Sequence, residues 1–263
     1  MKEKSDLGKR FWEIDFLRGV AILMMITYHT LVFRSYFGEN DFNLSSVFWR
    51  LFQITTASIF LFLVGVSLTL SYSRFKQKYG TERLFTKFFK RGLIIFSLGL
   101  CMTAFTWLFL RKNYVRFGIL HLIGITIILA YPFLKAHFWS LMLGAACIII
   151  GICAMTTSFD FSLLMWLVFM KSQYYHTVDY FPLMPWFGVT LVGLFIGNYL
   201  YPRYTRRINI GELSHFSLIK PFCLLGRHSL IIYFLHQPIL VALLFIFGET
   251  RISFLNKILP QLN

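Results

Sequence analysis

The sequence predicts an all-α fold: a polytopic helical bundle in a membrane, with about seven spans plus one half-length or re-entrant segment and a cytoplasmic N-terminus. Three observations predict it. Of the 263 residues 57% are apolar and only 14% are charged. The mean hydropathy is +0.65, and the charges fall between long apolar runs. A soluble chain of this size needs more polar surface than that, so the solvent for most of this one is lipid.

A bilayer core about 30 Å thick takes about 20 helical residues. That ruler places spans at Ile14 to Phe33, Val47 to Tyr72, Gly92 to Leu110, Phe117 to Leu134, Phe138 to Thr157, Leu183 to Tyr201 and Ser229 to Gly248. Phe161 to Met170 is apolar but half a span long, as a re-entrant or interfacial segment or a tilted eighth helix would be. The acidic residues Glu3, Asp6, Glu13 and Asp15 interrupt the basic N-terminal lead, so the first span reads as retained rather than as a cleaved signal. No repeat and no Pro, Gly or Ser-rich linker divides the chain, and residues 1–263 read as one membrane domain. The longest polar stretches are Ser73 to Arg91 and Pro202 to Gly226.

The net charge of +15 tests nucleic acid against topology. Assigned to alternate loops, 17 cations fall on the side of the N-terminal tail and 7 on the other, with Arg18 and Arg50 inside spans. The positive-inside rule then puts the N-terminus in the cytoplasm and the C-terminus outside a multi-pass protein of the cell membrane. The charge is mostly a topology signal that anionic lipid would reinforce, and no nucleic acid partner is needed to explain it. Cys101, Cys147, Cys153 and Cys223 lack CxxC or ligand spacing and read as inert core thiols. The many Phe and Trp residues read as lipid-facing bulk and an interfacial belt.

Polar groups inside spans are costly, which makes them the informative ones. Arg18 and His29 are eleven residues apart, about three helical turns, and Asp15 stands at i−3 from Arg18, so one stripe joins all three. In the last span Ser229, Tyr233 and His236 share a face at i, i+4 and i+7, with Arg227 before them and Pro238 just beyond. The fourth span adds Arg116 and His121. Three histidines on three helices are placed to converge, as general bases or acyl carriers, while Arg18, Arg91 and Arg227 suit the phosphates of a large anionic donor. His137, His176 and His215 read as solvated loop residues, and Asp160 and Asp179 as solvated carboxylates beside the half-length segment.

These residues sit in recognisable motifs. The run from Glu13 to His29, with an Arg, ten residues and a His, resembles the start of the transmembrane acyltransferases. So do Lys87-Phe-Phe-Lys-Arg91-Gly, Arg116-Phe-Gly-Ile-Leu-His121-Leu-Ile-Gly, Leu183-Met-Pro-Trp-Phe-Gly188 and Gly226-Arg-His-Ser229-Leu-Ile-Ile-Tyr233-Phe-Leu-His236. The chain is most similar to the heparan-alpha-glucosaminide N-acetyltransferase catalytic family, with acyltransferase family 3 as the wider relative. It departs from the lysosomal member in having no histidine between Arg34 and Ser46.

The resemblance implies a membrane acetyltransferase that moves an acetyl or other acyl group from cytosolic acetyl-CoA to a sugar or glycan amine or hydroxyl reached from the outer side. It implies a functional His29 and His236, a donor-site or structural Arg18 and a coenzyme A contact at Arg91; the residue pattern adds His121 to the catalytic set and Asp15 and Arg227 to the donor contacts. Arg116, Ser229 and Tyr233 fall to the acceptor, no metal is expected, and homo-oligomerisation is left open. Two other classes fit intramembrane Asp, Arg and His less well. A proton-coupled transporter would show repeats or broken helices, and a haem carrier would stack histidines on one helix.

Overall fold

A computed structural model describes residues 10–37, 43–110, 114–154, 167 and 179–246. Among them the chain is helical, with one isolated bridge between Phe117 and Tyr180. The helices are α1 (Trp12–Phe37), α2 (Val47–Tyr79), α3 (Leu84–Leu110), α4 (Ile119–Leu129), α5 (His137–Ala154), α6 (Leu183–Leu200), α7 (Ile219–Arg227) and α8 (Ser229–Ile246). Short 3-10 turns at Tyr131–Leu134 and Pro202–Tyr204 follow α4 and α6.

By length and composition four of the described helices can cross a membrane: Trp12–Ser35, Val47–Tyr79, Leu84–Leu108 and Leu183–Leu200. Ile119–Leu129, Phe138–Ala154 and Ser229–Leu240 are apolar but shorter. At about 1.5 Å per residue, the 11 residues of α4 rise far less than a bilayer core. The protein is therefore an all-α, multi-pass membrane protein in which helix lengths vary more than an even 20-residue ruler expects. The half-length segment Phe161 to Met170 lies, apart from Leu167, outside the described residues, as do Asp160 and His176.

The polar stretch Ser73 to Arg91 is mostly helix, because α2 continues to Tyr79 and α3 resumes at Leu84. Gly80 makes the turn between them. Its φ of +77 is left-handed, and its N–H donates to the Lys76 carbonyl at 3.0 Å, so it ends α2 in a conformation that a side chain would disfavour. Within the spans, hydroxyls are satisfied by the carbonyl one turn back, as Thr30 on Ile26 (2.8 Å), Thr56 on Phe52 (2.7 Å) and Ser67 on Leu63 show.

The chain forms two compact units, one of Leu61–Ile210 and one of Arg10–Phe60 with Gly211 onward. In the first, α3 packs on α4 and α5 on α6. Lipid tails are as apolar as the side chains, so helices associate by close packing rather than by escape from water. Glycine permits that approach. A Cβ on Gly92 would lie 2.7 Å from the Gly124 carbonyl oxygen, and one on Gly188 would lie 2.5 Å from that of Gly144.

In the second unit α1 packs on α7 and α8. A Cβ on Gly19 would overlap the Phe222 carbonyl oxygen, and one on Gly226 that of Asp15. Ala21, Ile22, Met25 and Phe60 form a buried cluster against Ile232 and Tyr233.

Some expectations change in detail. Cys147 and Cys223 are buried, but Cys101 and Cys153 are exposed, which a thiol tolerates because it is apolar enough to face lipid. The aromatics divide: Trp107 and Trp139 are exposed, whereas Trp12, Trp186, Phe88 and Phe117 are core residues. His137 opens α5 instead of lying in a loop, while His215 is exposed.

Candidate active site

The second unit brings His29 of α1 and His236 of α8 into ring contact, with centroids 4.9 Å apart and planes 77° from parallel. Helix geometry presents each ring to a carbonyl of its own preceding turn. His29 Nδ1 is 2.9 Å from the Met25 oxygen, and His236 Nδ1 is 2.6 Å from the Tyr233 oxygen. A carbonyl only accepts, so both Nδ1 atoms carry the hydrogen and both Nε2 atoms keep a lone pair. His236 is buried, and its Nε2 has no hydrogen-bond partner among the described residues. Such an orphan is costly in a core and usual where a reacting group is to be met.

Around the pair stand aromatic and amide side chains. Tyr233 contacts His236 at 5.3 Å and Phe60 at 6.1 Å, and Tyr28 meets His29 edge-on at 5.9 Å. The Tyr28 hydroxyl donates to Gln53 Oε1 at 3.2 Å, and Gln237 is buried beside His236 in sequence. Sequence reasoning passed over Tyr28, Gln53 and Gln237. All three are polar residues in apolar segments, the signal that marked the histidines.

At the other end of α1, Asp15 is buried and accepts from Arg227 Nε at 3.4 Å, while the Arg227 side chain stays 44% exposed. Two of the four residues expected as donor contacts are therefore paired, with the guanidinium still reaching outward. The α1–α7 contact that pairs them is reinforced by Cys223 Sγ on the Trp12 oxygen (3.5 Å) and Trp12 Nε1 on the Gly211 oxygen (3.1 Å). Arg18 is half-buried on the same helix, and Ser229 opens α8.

His121 and Arg116 belong to the other unit, as does Arg91, which is exposed on α3. The surroundings of His121 differ from those of the pair. It is 2% exposed, stacks on Phe117 at 5.6 Å and meets Phe96 edge-on at 5.2 Å. Its Nδ1 accepts the Gly118 N–H at 3.3 Å, so the hydrogen is on Nε2, which donates to Thr103 Oγ1 at 3.3 Å. Both nitrogens are engaged. The ring caps the first turn of α4, and Gly99 makes room for it, since a Cβ there would stand 2.9 Å from Nδ1.

Asp179 shares the capping: its Oδ2 accepts the Ile119 N–H at 3.3 Å. The carboxyl lies against the chain, not in open solvent as the sequence suggests. Desolvation raises its pKa to about 6, against the lowering effect of the Ile119 bond. Arg116 lies 5.0 Å over the Tyr114 ring.

Comparison with curated proteins and with solved structures gives no significant match. One family model does match, described as heparan-alpha-glucosaminide N-acetyltransferase, catalytic, over residues 10–238. The match takes in the whole of both histidine neighbourhoods and most of the chain, so this protein belongs to the heparan-alpha-glucosaminide N-acetyltransferase catalytic family and is a membrane-embedded enzyme of acetyltransferase type.

Proposed function

We propose that the chain transfers acetyl from cytosolic acetyl-CoA to an amine or hydroxyl of a sugar or glycan acceptor approaching from the outer side of the cell membrane. In this reading residues 1–263 act as one acyltransferase domain with the N-terminus in the cytoplasm and the C-terminus outside. The observation that carries it is the His29–His236 ring pair with two Nε2 lone pairs.

His29 Nε2 takes the proton from the acceptor nitrogen or oxygen as that atom attacks the thioester carbonyl carbon. The carbon–sulfur bond then breaks, and the coenzyme A thiolate receives a proton on leaving. In the covalent variant His29 Nε2 itself attacks and coenzyme A leaves as the thiolate; the acceptor then attacks the acetyl carbon, the carbon–Nε2 bond breaks, and the acceptor's proton passes to His236 Nε2. Two imidazolium ions this close would repel, so the pair suits the uptake of a single proton, with His236 sharing it.

Arg18 and Arg227 hold the donor's phosphates, with Asp15 orienting Arg227. Ser229 and Tyr233 line the acceptor side along α8. His121, whose nitrogens are both engaged within the chain, enters as the cap that fixes α4 behind Arg116.

The test is acetyl-CoA binding to the purified protein, followed by radiolabel transfer to a panel of amino sugars and glycans. Arg18→Ala should weaken donor binding by about tenfold or more, the scale of one lost charged contact. His29→Ala should keep binding and lose transfer. Undiminished transfer in His29→Ala would refute the role given to that ring.

A further inference from the structure

We propose that the side-chain amide of Gln237 is the oxyanion donor of this enzyme, giving a hydrogen bond to the thioester carbonyl oxygen as that oxygen takes up negative charge. This role rests on the acyl-transfer chemistry proposed above, which otherwise leaves the carbonyl oxygen unattended. His29 and His236 handle protons. Attack on an acyl carbon also drives an electron pair onto oxygen, and donors aimed at that oxygen are usually the largest single source of rate.

Helix geometry places Gln237. On α8 the residues Ile231, Leu235 and Ile239, at i, i+4 and i+8, are 59%, 42% and 50% exposed and mark the lipid side. Tyr233 and Gln237, at i and i+4, fall on the opposite side, and His236 adjoins them at i+3 from Tyr233. Gln237 is only 6% exposed, so its amide is enclosed on the face that brings the His236 ring to His29. Among the described residues no hydrogen bond engages that amide. An amide buried in this way is costly unless something arrives to meet it.

The other donors of this unit near the pair are already engaged. The Tyr28 hydroxyl donates to Gln53 Oε1, Thr30 to the Ile26 carbonyl and Thr56 to the Phe52 carbonyl. The Nδ1 hydrogens of both histidines go to carbonyls as well. Gln53 keeps its two amide hydrogens but is exposed, where water competes for them. Gln237 combines two N–H donors with burial, and a hydrogen bond to developing charge is strongest where water is excluded. Its neutrality matters too, because a cation in its place would oppose proton uptake by the histidine pair.

The step balances as follows from the chemistry of acyl transfer. The acceptor atom bonds to the carbonyl carbon and gives its proton to His29 Nε2, while the carbonyl π pair moves to oxygen and is held by Gln237 Nε2–H. The pair then returns to re-form the carbonyl, the carbon–sulfur bond breaks, and coenzyme A leaves as a thiolate that takes up a proton.

Wild type, Gln237→Met and His29→Ala in nanodiscs would be loaded with acetyl-CoA carrying ¹³C at the carbonyl and compared by isotope-edited infrared spectroscopy, beside transfer to amino sugars and glycans. Met matches the length of Gln without its donor, and Gln237→Ala is read in parallel in case Met packs badly. The bound carbonyl stretch should lie below that of free acetyl-CoA in wild type and in His29→Ala, and return toward the free value in Gln237→Met. The kcat of Gln237→Met should fall about 10²–10³-fold with the acetyl-CoA KM little changed. An unshifted carbonyl in loaded wild type, or wild-type kcat in a folded Gln237 variant, overturns the assignment. A shift that Gln237→Met abolishes, in a wild type that transfers to no acceptor, keeps the amide contact and overturns the acyl-transfer reading instead. A wild type that does not bind acetyl-CoA overturns both.

Discussion

The two histidine neighbourhoods use opposite halves of the imidazole. Beside α1 and α8, carbonyls hold the Nδ1 hydrogens of His29 and His236 and leave both Nε2 lone pairs open. At α4 a backbone N–H takes the Nδ1 lone pair of His121 and Thr103 takes the Nε2 hydrogen, so nothing is left over. Residue type is the same in the two places, and His236 and His121 are both buried. What differs is whether the helix offers the ring an acceptor, as it does in mid-helix, or a donor, as it does at its first turn. The first arrangement leaves a base. The second makes a cap.

The largest test of this contrast is kinetic. His236→Ala should lower acetyl transfer by about a hundredfold, the low end of a lost acid–base partner, whereas His121→Ala should lower it less than tenfold per folded molecule. Equal losses would erase the distinction. Nitrogen chemical shifts of labelled histidine sharpen it directly, because His29 and His236 should show one tautomer and His121 the other.

Packing separates the regions next. Gly226→Ala sets a Cβ against the Asp15 backbone, which cannot turn aside, and should destabilise by about 2 kcal/mol or more. Gly99→Ala meets the His121 ring at 2.9 Å and the His121 backbone nitrogen at 3.0 Å, a milder overlap, and should cost about 1 kcal/mol. Thermal denaturation in one detergent ranks the two, and the reverse order would contradict the α1–α7 contact.

A smaller effect follows from Asp179. Its pKa is raised to about 6 from an ordinary 3.8, so the folded state binds the proton more tightly than the unfolded chain does. The stability this confers is present below about pH 4 and lost as pH rises through about 6. Asp179→Asn should flatten the melting temperature over that window while leaving the His29–His236 unit unaltered. A slope that survives the substitution belongs to another group.

The smallest expected effect is the Asp15–Arg227 pair. Because the arginine is half exposed, Asp15→Ala should cost no more than about 1 kcal/mol. Arg227→Ala should cost more, since it strands the buried carboxylate.

Much of this was legible in the chain. The spacing from Arg18 to His29 and the face shared by Tyr233 and His236 follow from the helical period, and the structure keeps each pair on a single helix. The amphipathic α7 was hidden in the polar stretch after α6, because nine residues are too few for a span and their apolar side is met by a helix some two hundred residues away. The role of Asp179 was hidden likewise, since its partner Ile119 is 60 residues off.

The sequence by itself determined the helical membrane class and the family. Lipid forces backbone hydrogen bonds to close within helices and makes intramembrane polar residues rare enough to be read as motifs. Only the tertiary structure decided which histidine meets which, which nitrogen of each stays open, and that Asp15 answers Arg227. Those depend on contacts between distant helices and on where each ring stands relative to a helix end. Residue spacing fixes the face a side chain occupies, but the group awaiting it there is set by packing.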